Sequence, residues 1–255
     1  MKIKLLFAFI LVFSVNILNG SAQEKPKRSV FEIKIYHLSS SSQEKTVDQF
    51  LENTYIPAMH EKGIKHIGVF KPLKSDSLSG KRIYVFTPYT SAEEYMDIAS
   101  TLHLEKGMEY PLATHENPPF DRFESILLKA FSGMPGYGTP QLTGPKEDRI
   151  YELRSYESAT EKLFHNKVKM FNSGEVEIFD RLDFNAVFYG EVVAGPKMPN
   201  LMYMTSFDNL DAEKAAWKSF GSDAEWIKLR DDQQFQNNVS HIDITLLHPA
   251  SYSEL

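Results

Sequence analysis

The chain has 255 residues, 42% hydrophobic and 24% charged, the proportions of an ordinary globular protein with room for one large or two small domains. Its formal net charge of −6, with no long basic run, argues against a nucleic-acid partner or an anionic membrane surface, since phosphate binding needs clustered Lys and Arg. It has no cysteine, which excludes disulfides, thiolate metal sites and a lipidated N-terminal cysteine.

Lys2 and Lys4 precede an apolar run from Leu5 to Val15, and Gly20 and Ala22 follow at small-residue positions. A charged start, a short apolar stretch and a small-residue cleavage site predict a signal peptide over residues 1–22, cut after Ala22. The run is shorter than the roughly 20 residues a bilayer-spanning helix needs. No later stretch is apolar enough to span, so a periplasmic or secreted protein without a membrane span is expected.

Val30–His37 reads as the first mature strand. Lys45–Gly63 reads as a helix, with Val47, Phe50, Leu51, Tyr55 and Ile56 at near-helical spacing and Pro57 placed to kink or divide it. Ile64–Lys71 and Arg82–Thr87 are predicted strands, separated by a turn at Ser75–Gly80. Ser91 caps a helix whose first turn carries Glu93 and Glu94, where the helix dipole favours anions. His103–Asp121, with Pro111, Pro118 and Pro119, reads as a loop or broken helix, and Phe123–Phe131 as a fourth strand.

Gly133–Asp148, rich in glycine and proline, reads as a linker or long surface connection. The order of elements then repeats. Arg149–Tyr156 is a strand and Glu161–Arg181 a helix. Asn185–Val193 and Leu201–Phe207 form a hairpin across the Gly195-Pro196 turn. Asp208 or Asn209 caps the next helix, Gly221-Ser222-Asp223 interrupts it, and Val239–Leu247 closes as a strand. Both halves therefore read βαββαβ, the ferredoxin-like order. Residues match as well. Phe31-Glu32-Ile33-Lys34-Ile35-Tyr36 aligns with Tyr151-Glu152-Leu153-Arg154-Ser155-Tyr156, and Ile83-Tyr84-Val85-Phe86 with Leu201-Met202-Tyr203-Met204. The expected organisation is a signal peptide (1–22), a first unit (30–131), a linker (132–148) and a second unit (149–249).

The second unit resembles the NIPSNAP family. The resemblance lies in Tyr151–Tyr156, Lys167–Phe179, Val187-Phe188-Tyr189-Gly190-Glu191, Met198–Met204, Phe207, Ala216-Trp217-Lys218-Ser219-Phe220 and Glu225-Trp226. It covers about Arg149 to Pro249. Many members carry Pro-Gly soon after the first strand, where this chain has Glu157-Ser158-Ala159. The resemblance implies the dimeric α/β-barrel group, in which two copies pack sheet to sheet. The expected fold is thus α+β, with two tandem ferredoxin-like units forming a dimeric α/β-barrel-like pseudo-dimer within one chain. A homo-oligomer is left open.

Strand alternation sorts side chains by face. We assign Phe31, Ile33, Ile35, Tyr151 and Leu153 to the helix-covered core. The opposite face then carries Glu32, Lys34 and Tyr36 in one unit, and Glu152, Arg154 and Tyr156 in the other. With Tyr189, Glu191 and Asp243, the second set makes a candidate polar ligand site between the sheets. The alternative for Glu152 and Arg154 is a salt bridge that joins the two halves. Both tryptophans are expected in the core.

His165 shares a helix face with Glu161, but no third ligand clusters with them, so no metal site is expected. No Gly-x-Ser-x-Gly elbow, phosphate loop or dinucleotide fingerprint is present. No cofactor is expected. The expected function is binding of a small molecule or a protein partner. The alternative is a cofactor-independent oxygenase, or a haem-binding enzyme with His165, His241 or His66 as axial ligand.

Overall fold

A computed structural model describes residues 27–105 and 107–255. The expected signal peptide lies outside the described residues. The chain is a mixed α/β protein built on a closed, eight-stranded antiparallel barrel. Its strands are β1 (Val30–His37), β2 (Gly68–Pro72), β3 (Arg82–Tyr89), β4 (Arg122–Ala130), β5 (Ile150–Glu157), β6 (Phe188–Ala194), β7 (Asn200–Phe207) and β8 (His241–Pro249). Around the ring the order is β1-β3-β2-β8-β5-β7-β6-β4. Long pairings hold each half together: β1 runs against both β3 and β4 from Val30 to His37, and β5 against β7 from Ile150 to Glu157. The two seams are short. β2 meets β8 over Phe70–Pro72, and β4 meets β6 over Leu127–Ala130 with a shift in register.

The helices lie outside the ring: α1 (Ser41–Phe50), α2 (Ile56–Glu61) and α3 (Ala92–Thr101) in the first half; α4 (Glu161–Met170), α5 (Val176–Arg181), α6 (Leu210–Ser222) and α7 (Ala224–Asp231) in the second. Each long helix starts where a short polar side chain satisfies an orphan amide. Ser40 accepts from the Gln43 amide, Ser91 from Glu94, Thr160 from Leu163, Asn209 from Asp211 and Ala212, and Asp223 from Glu225 and Trp226.

The break expected at Pro57 takes a different form. A π-helical turn at Leu51–Tyr55 joins α1 to α2, and Pro57 falls in the first turn of α2, where its missing N–H costs nothing. The same turn recurs at Phe171–Glu175 between α4 and α5, where there is no proline and Gly174 is non-helical. The proline is therefore not the cause of the turn. β2 begins at Gly68 rather than Ile64, because Ile64 and Ile67 pack with the helices instead of joining the sheet.

The segment expected as a linker or long surface connection is docked. Tyr137 and Leu142 pack against the barrel interior, and the Thr143 and Gly144 amides both donate to Asp208 Oδ1 at 2.7 Å. The Gly138 amide donates to the Val187 carbonyl, and a Cβ there would meet the Ala186 carbonyl oxygen at 2.4 Å, so only glycine fits.

The barrel interior is an apolar core drawn from both halves. Phe86 stacks on Phe188 with ring centroids 5.2 Å apart, and Phe70 meets Tyr151 at 4.6 Å. A second core lies between the first half-sheet and α1–α3, and a third between the second half-sheet and α4–α7.

Candidate functional site

The expected face assignment is inverted. Phe31, Ile33, Tyr151 and Leu153 point into the barrel with Ile35 packed against them, while Tyr36 and Tyr156 belong to the helix-covered cores. The reason is closure. Once the two half-sheets join at both edges, most of the space between them is closed off from water and takes the apolar set, with polar residues gathered at one end. Charged groups among the strand residues left facing the helices are costly unless partners satisfy them.

In the second half those partners are present. Arg154 Nε donates to Glu152 Oε1 at 2.6 Å, and Arg154 Nη1 donates to the Tyr156 hydroxyl at 3.2 Å. The Tyr156 and Tyr203 hydroxyls are 2.8 Å apart. Trp217 Nε1 donates to the other oxygen of Glu152 at 2.5 Å, and the Arg154 guanidinium lies 3.7 Å from the centre of the Trp217 ring. Burial works against the guanidinium's charge, but Tyr203, Tyr156 and Glu152 outweigh it and hold its pKa above the ordinary arginine value. Glu152, Arg154 and Tyr156 thus come together, under the helices and not between the sheets. The Glu152–Arg154 salt bridge exists, yet both partners lie on β5, so it does not join the two halves; Trp217 ties Glu152 to α6.

The other expected site residues disperse. Tyr189 is sealed in the core beneath α4–α7. Glu191 accepts from Arg28 at 2.7 Å. Asp243 lies on the inner face of β8, at one end of the barrel, where it pairs with Lys197 at 2.5 Å and lies 3.1 Å from His241. With Asp243, His37, Arg82, Glu124 and Asn200 line a cavity of about 410 Å³ there. Glu157, His241 and Asp243 bring three metal-competent atoms within 4.8 Å of one another, but the Lys197 ammonium already neutralises Asp243.

The same strand positions in the first half are arranged differently. Glu32 and Lys34 are the third and fifth residues of β1, as Glu152 and Arg154 are of β5. Here they edge a cavity of about 340 Å³ between the half-sheet and α1 and α3. That lies within the range of about 300–1,000 Å³ usual for small-molecule sites. Five tyrosines line it: Tyr36, Tyr55, Tyr89, Tyr95 and Tyr110. The Tyr36 and Tyr110 hydroxyls pair at 2.9 Å, and Tyr55 pairs with Thr87 at 3.1 Å. Burial pushes the Tyr36, Tyr55, Tyr89 and Tyr110 hydroxyls above the ordinary tyrosine range, so they stay protonated at neutral pH.

The Lys34 ammonium is 3.9 Å from Glu32 Oε1 and within 5.5 Å of the Tyr55 and Phe123 ring centres. Among the described residues no acceptor lies within hydrogen-bonding distance of it. Burial lowers its pKa, but Tyr55, Glu32, Tyr110 and Tyr95 together raise it above the lysine value, so it keeps its charge. A charged ammonium with unmade hydrogen bonds in an aromatic cavity is a poised binding group. None of His66, His165 and His241 lines this cavity; His103, an exposed residue, does.

Sequence reasoning missed the cavity, because its tyrosines are spread from position 36 to 110 with no common spacing. One signal lay in the repeat. Ala99 and Trp217 each stand eight residues after a helix N-cap, Ser91 and Asn209. Small against large at that position leaves one half open and fills the other.

This architecture defines a class, the closed α/β barrels. A protein of Lactobacillus acidophilus NCFM described as a candidate monooxygenase shares the fold with a TM-score of 0.57, at 11% identity, over 87% of this chain and 94% of that one. A candidate monooxygenase of Fusobacterium nucleatum gives 0.55 at 7% identity, over 88% and 93%. An anthrone oxidase-like protein gives 0.52 at 9% identity, over 89% and 93%. Residues 151–254 match the NIPSNAP family model, so the second half of the chain carries a NIPSNAP domain. No curated protein matches the chain.

Proposed function

We propose that this is an exported binding protein for a small aromatic molecule, held in the helix-side cavity of the first half. We read the barrel as two tandem ferredoxin-like units in one chain. The first carries the ligand site, and the second, the NIPSNAP domain, completes the ring. The displacement of matching elements supports the tandem reading. β1, α1, the π-helical turn and α2 recur in β5, α4, the second π-helical turn and α5, each 120 residues later. β3 and α3 recur in β7 and α6, 118 residues later. Within each half the strands run in the same order, β4-β1-β3-β2 and β8-β5-β7-β6.

The observation that carries the binding reading is the Lys34 ammonium, charged, walled by tyrosines and, among the described residues, with no acceptor nearer than Glu32 at 3.9 Å. A ligand-observed NMR screen of small aromatic compounds is expected to find binders to the wild-type chain. Ala99→Trp, which puts a large ring into the cavity, should abolish that binding while the circular dichroism spectrum and melting temperature hold. Binding that survives Ala99→Trp would overturn the assignment of the site.

A second reading, oxygenation of the bound molecule without a cofactor, is favoured by the same ammonium. It could stabilise an anion formed on a bound phenol, and the fold is shared with candidate monooxygenases. Oxygen uptake on adding a bound phenol separates an enzyme from a binding protein. Among the described residues no helix is long and apolar enough to cross a membrane. For export, protein recovered outside the cytoplasm should have an intact mass that starts at Gln23. Recovery with Met1 retained would count against cleavage.

A further inference from the structure

The second half contains its own occupant. Trp217 fills the position over Arg154 and Glu152 that is left open over Lys34 and Glu32 by Ala99. In that filled copy the ring face lies 3.7 Å from the guanidinium and the ring N–H donates to Glu152 Oε2 at 2.5 Å. The corresponding acceptor in the open copy is ready. Glu32 is 5% exposed, its Oε1 accepts from Ser125 Oγ at 2.6 Å, and no described residue donates to its Oε2. Ser125 faces Lys34 across β1 and β4, so it takes over from Arg154 the task of holding the first oxygen. In both copies the first carboxylate oxygen therefore has a donor, Arg154 in one and Ser125 in the other, and only in the filled copy does the second oxygen have one, the aromatic N–H.

We propose that the cavity takes a planar heteroaromatic molecule bearing a ring N–H, of the indole class. It is seated as the Trp217 ring is seated in the other half, with its N–H on Glu32 Oε2 and its face over the Lys34 ammonium. This names the ligand class for the site proposed above and rests on that reading. The chemistry selects for both parts. A carboxylate oxygen that the bound ring would cover discriminates against rings that offer it no donor, and an ammonium prefers the electron-rich face of an indole to that of a simple benzene ring. The tyrosines around the cavity add edge contacts of the kind Phe184 and Phe179 make with Trp217, whose rings meet it at 4.8 and 5.6 Å.

The test compares indole with benzothiophene, a ring system of similar size and no N–H, by titration calorimetry on the full chain. Indole should bind about tenfold tighter or more, the discrimination expected for one hydrogen bond to a charged acceptor. Glu32→Leu should remove most of that preference, and Ala99→Trp should remove indole binding altogether. The comparison in the wild-type chain needs no variant to fold. Equal binding of the two rings would overturn the N–H assignment while leaving the cavity a ligand site. Binding of other aromatics but of neither bicyclic ring would overturn the indole class and again spare the site. If no aromatic compound binds, the reading of the cavity fails, and this inference fails with it.

Discussion

Lys167→Met alone, or Glu175→Met alone, is expected to lower stability by about 3–5 kcal/mol, because either change leaves one charge buried without its partner. The pair is 2.8 Å apart, with side chains 7% and 3% exposed, in the core between α4–α7 and the sheet. Lys167 also lies 3.4 Å from Met170 Sδ and 4.7 Å from the centre of the Phe171 ring. Replacing both residues together should cost about 1 kcal/mol or less, since exchanging a whole buried pair for well-packed side chains is often neutral.

The first half indicates which residues to use. The positions 120 residues earlier are Val47 and Tyr55, both buried, and the Tyr55 hydroxyl pairs with Thr87. Thr205, which faces Glu152 as Thr87 faces Glu32, has a buried hydroxyl with no partner. Lys167→Val with Glu175→Tyr would therefore remove the ion pair and supply that partner at once. Urea unfolding at neutral pH checks this, and a double variant as unstable as the singles would refute it.

The pH dependence has a sign. Burial outweighs Lys167 and holds the Glu175 carboxyl above its ordinary value. The folded chain then binds that proton more tightly than the unfolded one, so this group's contribution to stability is full below the ordinary glutamate pKa of about 4.3 and is lost as pH rises through the folded value. The double variant should flatten that slope.

Arg154→Met is expected to cost about 3 kcal/mol, since it strips Glu152, which is wholly buried, of its ion pair. It also removes the surface on which Trp217 lies, so the tryptophan emission should shift to the red as the ring gains freedom. Binding of aromatic molecules in the first-half cavity should be unchanged. Loss of that binding with stability intact would return the site to Arg154 and overturn its assignment to the first half.

Much of the fold was legible in the sequence, because its signals are local. Ser91 and Asn209 are short side chains that accept from the next turn, and they set the start of α3 and α6. Val30–His37 has the β-branched and aromatic content of a strand, and the structure keeps those bounds. What stayed hidden depends on distant contacts. Alternation along β1 separates Phe31 and Ile33 from Glu32 and Lys34 but does not say which set faces the helices. That is decided by β2 meeting β8 and β4 meeting β6, pairings that link residues 60 or more positions apart. Glu152 and Arg154 were legible as a pair, two residues apart on one face. Their third member, Trp217, belongs to a helix that only the fold brings over them. The linker carried turn residues, as read, yet Asp208 and the barrel end hold it in place.

Joining both halves of the ring in one polypeptide also removes a constraint. A ring of two identical subunits is bound by its two-fold symmetry, so every substitution appears twice. A tryptophan at the position of Trp217 would then plug both sides, and an alanine at that of Ala99 would hollow both. With a single chain, one side keeps Lys34 and Glu32 beneath an open cavity while the other spends the same geometry on a closed aromatic core. Stability and recognition are thereby free to change separately.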